Sequence, residues 1–289
     1  MGKRLEEALL DLRLGDHICY IYETKEQMDA IAPFILQGLE KNQQCIYIAD
    51  DNSVAAVKLA LEKRDVDVSA FVSSGKLNIM TKVESYVREG YFDPDRMIDL
   101  LRKSMEIAIG KGYEGLRVTG EMTWALGKQR GGERLIEYEA KLNYFFPRNS
   151  ALAVCQYNAT RFPPEVLLDV IKVHPLVIYG DFVCRNFYYV PPDEFLREEK
   201  QAKNELDRCL RYILEREDLD MKLREHAAQL EQKIHELNAL NVLFQKYLVE
   251  HIGLQEAYAS MRETIERLVR TAEVSKGEIG LSENILHPH

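Results

Sequence analysis

The stretch Gly15-Asp16-His17-Ile18-Cys19-Tyr20-Ile21-Tyr22 decides the fold of this chain. Its apolar and aromatic residues predict a buried strand, and a helical pattern begins soon afterwards, at about Lys25. A strand followed at once by a helix opens many α/β domains, and such domains often cradle a phosphate at this joint. Here the joint, residues 23–27, has no glycine and carries two glutamates. The sequence therefore predicts a ligand other than a nucleotide phosphate.

Length and composition favour a soluble cytoplasmic protein. The 289 residues, 46% of them hydrophobic, suffice for one large domain and an appendage. The net charge of −9 argues against direct binding to nucleic acid. A long apolar run and a secretory signal are both lacking, so we expect no membrane partner. The five widely spaced cysteines contain no CxxC pair, which predicts free thiols in a reducing compartment.

Residues up to about 192 alternate between strand-like and helix-like patterns. The predicted strands are His17–Tyr22, Gln44–Ala49, Leu77–Thr81, Gly115–Thr123 and Ala151–Tyr157, with a closing hairpin of Leu176–Phe182 and Arg185–Val190. The predicted helices cover about residues 25–41, 53–64, 93–111, 132–146 and 163–173. Strands separated by helices in this rhythm predict an α/β fold with a mainly parallel sheet covered by helices.

The composition changes at Pro191-Pro192-Asp193-Glu194 to residues that favour helices. We therefore predict an α/β domain at 1–192, a coiled-coil region at 193–274 and a flexible tail at 275–289. A heptad repeat places apolar residues at a and d positions, and Asn241 at an a position favours a two-stranded coil of fixed register. The predicted dimerisation residues are Leu230, Ile234, Leu237, Asn241, Phe244 and Leu248. A homodimer is the expected assembly, although packing of this stripe onto the domain is an alternative, as is a hairpin with the second amphipathic helix that follows Gly253.

Polar and aromatic residues on three strands are candidates for a ligand site. His17 and Cys19 stand two apart and so share one face of their strand. The other candidates lie near the ends of later strands, where open α/β sheets bind ligands, or precede the hairpin: Glu121, Trp124, Cys155, Tyr157 and His174. Taken alone, His17 and Cys19 are more often ordinary core residues. Glu137 and Glu139, in the helix after Trp124, are interpreted as a solvated face.

Motifs of enzymes are lacking in the sequence. It contains no GxxxxGK[ST], GxSxG, HExxH or kinase motif set. We therefore expect no catalytic residues, although a nucleophilic pair formed by a cysteine and a histidine stays open.

Several of these elements together resemble the MEDS family, the methanogen/methylotroph DcmR-type sensory domain. The matching segments are residues 15–22, 117–124 (Arg-Val-Thr-Gly-Glu-Met-Thr-Trp), 155–158 (Cys-Gln-Tyr-Asn), 174–175 (His-Pro) and 186–192 (Asn-Phe-Tyr-Tyr-Val-Pro-Pro). The resemblance implies a RecA/KaiC-like α/β domain without a P-loop that senses small hydrocarbon derivatives or their metabolites. It also implies that the seven candidate residues form the pocket. No kinase core or helix-turn-helix follows the domain in this sequence, so a signal would pass through helix packing or a partner protein.

Four functions compete at this point. The first is a non-enzymatic sensor that binds a small molecule and signals through the C-terminal helices. The second is a RecA-like ATP-binding protein, which the missing phosphate cradle disfavours. The third is a metal or haem sensor that uses His17, Cys19, Cys155 or His174, and the fourth is a scaffold with an inert α/β domain. The sequence names no cofactor and does not decide whether a metal binds.

Overall fold

Seven strands form one sheet in the computed structural model of the chain, which describes residues 3–23, 27–64, 66–197, 201–251 and 255–284. The strands are β1 (His17–Tyr22), β2 (Gln44–Ala49), β3 (Leu77–Thr81), β4 (Leu116–Glu121), β5 (Ala151–Asn158), β6 (Leu176–Tyr179) and β7 (Phe182–Arg185). Their order is β3-β2-β4-β5-β1-β6-β7. Every neighbouring pair is parallel except β6 and β7, which form an antiparallel hairpin.

Helices cover both faces of this sheet. Before residue 198 they are α1 (Lys3–Leu10), α2 (Gln27–Glu40), α3 (Val54–Glu62), α4 (Val68–Ser73), α5 (Pro94–Gly110), α6 (Leu135–Phe145), α7 (Pro164–Lys172) and α8 (Pro192–Phe195). One core joins α1, α2, α3 and α4 to the even-numbered side chains of β1. The other joins α5, α6 and α7 to the odd-numbered side chains of β1 and β5; we call this side the α6 face. Because both faces are buried, β1 reads as a nearly continuous apolar run.

The structure confirms the predicted mainly parallel α/β sheet covered by helices. The bounds of β1, β2 and β3 are the predicted ones. The closing hairpin is also present, but its second strand covers 182–185 instead of the predicted 185–190. The cause is a tight turn at Gly180 and Asp181, in which Gly180 has a φ of +55° and Tyr179 pairs directly with Phe182. Because the turn has only two residues, the second strand of the hairpin begins three residues earlier than predicted.

The chain divides into two compact units, Met1–Asn204 and Glu205–His289. Two long helices, α9 (Gln201–His251) and α10 (Gln255–Asn284), make up the C-terminal region. The predicted polar tail from Ser275 is thus helical as far as Asn284. The joint residues 24–26, the helix interruption at Gly253 and the terminal His287 and His289 lie outside the described residues. Among the described helices, none is both long and apolar enough to span a membrane.

Candidate functional site

Four polar side chains meet on the α6 face of the sheet. They are His17 at the start of β1, Glu139 in α6, Cys155 in β5 and His174 just before β6, and each is at most 3% exposed. One ligand-type atom from each lies within 4.8 Å of the other three. We call this group the His–Glu–Cys–His cluster. It lies between the sheet and α6, beside the first half of β1, rather than at the carboxyl edge of the sheet.

Glu139 is the centre of the cluster. Its Oε2 lies 3.1 Å from Nε2 of His17 and 3.3 Å from Nε2 of His174. The thiol of Cys155 donates to the same oxygen at 3.4 Å, and the hydroxyl of Tyr157 donates to Oε1 at 2.6 Å. Tyr157 thereby fixes the carboxylate so that Oε2 faces the two imidazoles and the thiol.

The hydrogen bonds of Asn143 fix the tautomer of His17. The amide nitrogen of Asn143 donates to the backbone carbonyls of Glu139, Ala140 and Val173, at 3.2, 3.3 and 2.8 Å. The amide oxygen of Asn143 therefore faces Nδ1 of His17, at 3.1 Å, and this oxygen can only accept. His17 must carry its proton on Nδ1, so in the neutral ring the lone pair of Nε2 points at Glu139.

His174 has the same arrangement. Its Nδ1 lies 2.7 Å from the backbone carbonyl oxygen of Val170, which only accepts, so Nδ1 carries a proton. Its Nε2 is buried and forms no hydrogen bond within the described part of the chain. The two imidazoles thus both direct Nε2 into the cluster, and their ring centroids are only 4.1 Å apart.

Burial sets the protonation states of the neighbouring groups. Burial lowers the pKa of His17, and the nearby His174 ring lowers it further, against the opposing effects of Glu139 and Asn143. Burial, followed by the charge of Glu139, raises the pKa of the Cys155 thiol and that of the Tyr157 hydroxyl well above their usual values. In the cluster as it stands, Cys155 and Tyr157 therefore keep their protons.

The structure thus brings four of the seven candidate residues together: His17, Cys155, Tyr157 and His174. Cys19 is adjacent, because it pairs with Cys155 across the two parallel strands and shares its face. Burial raises the pKa of the Cys19 thiol, which stays protonated. Glu139 was interpreted as part of a solvated face, and this interpretation is wrong, since the residue is completely buried.

Trp124 lies apart from the cluster, in an aromatic group on the same face. Its ring stacks on Tyr86 at 4.8 Å between centroids and contacts Phe92 at 4.4 Å. Gly120 makes room for this packing, because a Cβ there would lie 2.1 Å from the hydroxyl oxygen of Tyr86. Tyr86 also lines an open cavity of about 450 Å³ between residues 85–93 and the first turns of α5. Trp124 is therefore a core residue one side chain away from a cavity.

Glu121 lies on the opposite face of the sheet. Its carboxylate accepts from the Tyr47 hydroxyl at 2.6 Å, from the backbone N–H groups of Asp50 and Asn52 at 2.8 and 2.9 Å, and from the Asn52 amide at 2.7 Å. These contacts tie the end of β4 to the loop that follows β2. In this arrangement Glu121 anchors a loop and has no contact with the cluster.

The description of one protein family fits this chain. The family model "MEthanogen/methylotroph, DcmR Sensory domain", or MEDS, matches residues 16–175, which is more than half of the sequence. The chain belongs to the MEDS family. The matched range begins one residue before His17 and ends one residue after His174, so it encloses the whole His–Glu–Cys–His cluster.

A curated relative carries the same kind of domain. The transcriptional repressor DcmR of Methylorubrum extorquens is 27% identical over 176 residues, which are 59% of this chain and 62% of the repressor. This chain therefore spans less than two thirds of the length of that relative. The match supports the assignment of this chain to the MEDS family.

Two solved structures are similar to the MEDS chain at low identity. A KaiC-like protein from Pyrococcus horikoshii is 12% identical, with a TM-score of 0.42 over 57% of this chain and 70% of its own. The flagellar accessory protein FlaH from Methanocaldococcus jannaschii is also 12% identical, with a TM-score of 0.44 over 63% of this chain and 82% of its own.

Proposed function

We propose that this MEDS chain is a non-enzymatic sensor that binds a small hydrocarbon derivative or a related metabolite in its α/β domain. The observation that carries the proposal is the His–Glu–Cys–His cluster, four polar side chains held in the core of a sensory domain. Buried polar groups cost stability unless they are paired, and here Nε2 of His174 lies 3.3 Å from Glu139 without forming a hydrogen bond within the described chain. Functional sites are where such costs are commonly found.

The cavity of about 450 Å³ beside Tyr86 supports the binding of a small molecule. Its volume lies within the usual range for ligand pockets, roughly 300–1,000 Å³. Tyr86 forms part of its wall and stacks on Trp124, so a ligand there would alter the surroundings of the single tryptophan. The cavity also offers a path by which a ligand could influence the α6 face.

A panel of methanol, methylamine, acetate and formate tests ligand binding directly. We expect at least one of these to raise the melting temperature of the wild-type chain in a concentration-dependent way, because a ligand that binds only the folded state stabilises it. The same compound should change Trp124 fluorescence. In H17A and C155A variants the shift should be markedly smaller.

Two exposed residues provide matched controls for this test. Cys184→Ala removes an exposed thiol in the same domain, and His226→Ala removes an exposed imidazole in α9. Both controls should keep the wild-type shift. If every compound of the panel, extended to longer alcohols and carboxylates, left the melting temperature unchanged, the ligand-binding part of the proposal would be lost.

We also propose that the signal leaves through the C-terminal helices, which pair with those of a second chain. In support, part of the predicted stripe is uncovered within one chain: Leu230 is 50% and Leu237 is 56% exposed, whereas Leu248 is buried. Residues of this stripe and of α10 border one apolar groove of about 280 Å³, which includes Asn241. Exposed leucines at heptad positions need a partner helix to bury them.

Leu237→Asp is expected to convert the dimer into a monomer, measured by light scattering during size-exclusion chromatography. A carboxylate at a buried d position costs several kcal/mol, on the order of 3, while it costs almost nothing on an exposed helix. Leu243→Asp is the matched control, since Leu243 is a 64% exposed leucine of the same helix outside the a and d positions. A dimer that persists in Leu237→Asp, or that is lost equally in Leu243→Asp, would speak against this stripe as the interface.

A further inference from the structure

We propose that His17, Glu139, Cys155 and His174 bind one divalent transition-metal ion, and that zinc matches this ligand set best. The set offers two imidazole nitrogens, one thiolate sulfur and one carboxylate oxygen, which are the donors that zinc prefers. All four side chains are buried, and no other cluster of this composition occurs among the described residues.

Four of the six distances between ligand atoms agree with a tetrahedral ion, and the other two are at most 4.8 Å. With metal–nitrogen and metal–oxygen bonds of about 2.0–2.1 Å and a metal–sulfur bond of about 2.3 Å, ligand atoms lie roughly 3.3–3.6 Å apart. The two imidazole nitrogens lie 3.1 and 3.3 Å from Oε2 of Glu139. The sulfur of Cys155 lies 3.4 Å from the same oxygen and 3.6 Å from Nε2 of His17. Four of the six edges of the tetrahedron are thus already formed.

The hydrogen-bond directions aim both imidazoles at one point in the cluster. Nδ1 of each histidine donates, to Asn143 and to Val170, so Nε2 is the atom that each ring offers to an ion beside Oε2 of Glu139. A metal ion satisfies both rings, the carboxylate and the sulfur at once.

The surrounding residues also have the arrangement found around bound metals. Histidine ligands nearly always donate their second ring N–H to a carbonyl or carboxylate, which fixes the ring orientation. Here Asn143 and Val170 accept from the two histidines, and Tyr157 donates to the outer oxygen of Glu139. Binding of the ion would replace the thiol proton of Cys155, which passes to solvent.

Metal binding is independent of the proposed sensory function, whereas any role of the ion in sensing rests on that function. Four protein ligands and full burial are typical of closed sites, in which the ion either holds the fold or is itself the signal. The closed site also disfavours metal-assisted catalysis, which needs an open coordination position.

Metal analysis of the untagged full-length protein, purified without chelators, tests the proposal. We expect inductively coupled plasma mass spectrometry to find one zinc ion, or a similar divalent transition-metal ion, per wild-type chain. The controls Cys184→Ser and the double variant His287→Ala/His289→Ala should retain it, because they alter only an exposed thiol and the histidines of the C-terminus. Cys155→Ser should lose at least about tenfold in zinc affinity.

Glu139→Gln is the most informative variant because it should preserve the fold. The amide oxygen of a glutamine can still accept from Tyr157, and its NH₂ group can donate to the two Nε2 lone pairs. The same NH₂ group occupies the position of the metal ligand and carries no lone pair for an ion. We therefore expect normal melting of the ion-free protein and at least about a tenfold loss of zinc affinity.

Cobalt substitution of the wild type needs no variant and decides the ligand set. The Co²⁺ protein should show visible absorption typical of tetrahedral cobalt and a thiolate-to-cobalt charge-transfer band, and X-ray absorption should find one sulfur and three lighter donors. Failure of the chelator-treated wild type to take up Zn²⁺ or Co²⁺, a first shell without sulfur, or unchanged affinity in Glu139→Gln would each overturn the proposal. If the protein binds the ion but its melting temperature does not change with any metabolite of the panel, the result counts against the small-molecule function alone.

Discussion

Replacing Glu139 with alanine is expected to lower the free energy of unfolding by about 3–5 kcal/mol, one of the two largest losses we expect in the α/β domain. The carboxylate is completely buried and accepts from Tyr157 and Cys155. Alanine would leave the hydroxyl of Tyr157 buried without its acceptor, and it would also leave a cavity. Urea denaturation with EDTA present measures this loss for the ion-free protein.

Glu137→Ala is the matched control for this measurement. Glu137 lies two residues earlier in α6, and its side chain forms ion pairs with Arg134 and Lys141 at the surface. Exposed ion pairs of this kind contribute about 1 kcal/mol or less. Glu139→Gln should also lose little stability, because the glutamine side chain can still accept from Tyr157 and donate to the two histidines. Equal losses in Glu139→Ala and Glu137→Ala would show that the buried carboxylate does not organise the cluster.

The sequence predicted the sheet well because the four central strands, β1, β2, β4 and β5, are buried on both faces and because helices α3 and α5 begin with side-chain caps. Asp93 illustrates the second point: its carboxylate accepts from the backbone N–H of Arg96, and Pro94 follows it as the first helical residue. Strand bounds follow directly from such signals, since a run of apolar residues between polar caps has few alternative structures. The α1 helix and the short α4 helix were not predicted, because they have only eight and six residues and so offer little more than two turns of pattern at most.

The buried position of Glu139 could have been found in the sequence. The residues at positions −4, +3, +4 and +7 relative to Glu139 are apolar or carry an amide. They are Leu135, Leu142, Asn143 and Phe146. This spacing places Glu139 in the middle of the apolar stripe of α6. Glu137 lies about 200° around the helix, on the exposed side. Glu139 was predicted to be exposed because it is charged. Its position in the apolar stripe of α6 is the more informative observation.

In contrast, the sequence does not show on which face of the sheet a side chain at the end of a strand lies. Reasoning from strand ends placed Glu121 beside Cys155, and the two do lie on neighbouring strands. In the structure Gly120 is the residue that pairs with Cys155, so Glu121 points to the other face. A shift of one residue in register reverses the faces, and register between parallel strands depends on helices that the local sequence does not describe.

Removing the side chain of Glu121 is the second change for which we expect a large effect. The carboxylate is buried and accepts four hydrogen bonds, from Tyr47, Asp50 and Asn52. In Glu121→Ala the buried hydroxyl of Tyr47 and the backbone N–H groups of Asp50 and Asn52 lose the Glu121 carboxylate, and the loop after β2 loses its anchor. Since each buried unsatisfied group costs about 1–3 kcal/mol, we expect a loss of about 2–4 kcal/mol in urea denaturation.

Hydrogen exchange separates this loss from a general weakening of the domain. The backbone amides of Asp50 and Asn52 should exchange much faster in Glu121→Ala, because their common acceptor is gone, while amides in β5 change only with the global stability. Glu114→Ala, an exposed glutamate just before β4, should leave both measurements nearly unchanged. Unaltered exchange at Asp50 and Asn52 would contradict the anchoring role. Because Glu121 and the His–Glu–Cys–His cluster occupy opposite faces, zinc affinity should survive this substitution, and its loss would mean that the two faces are coupled through the sheet.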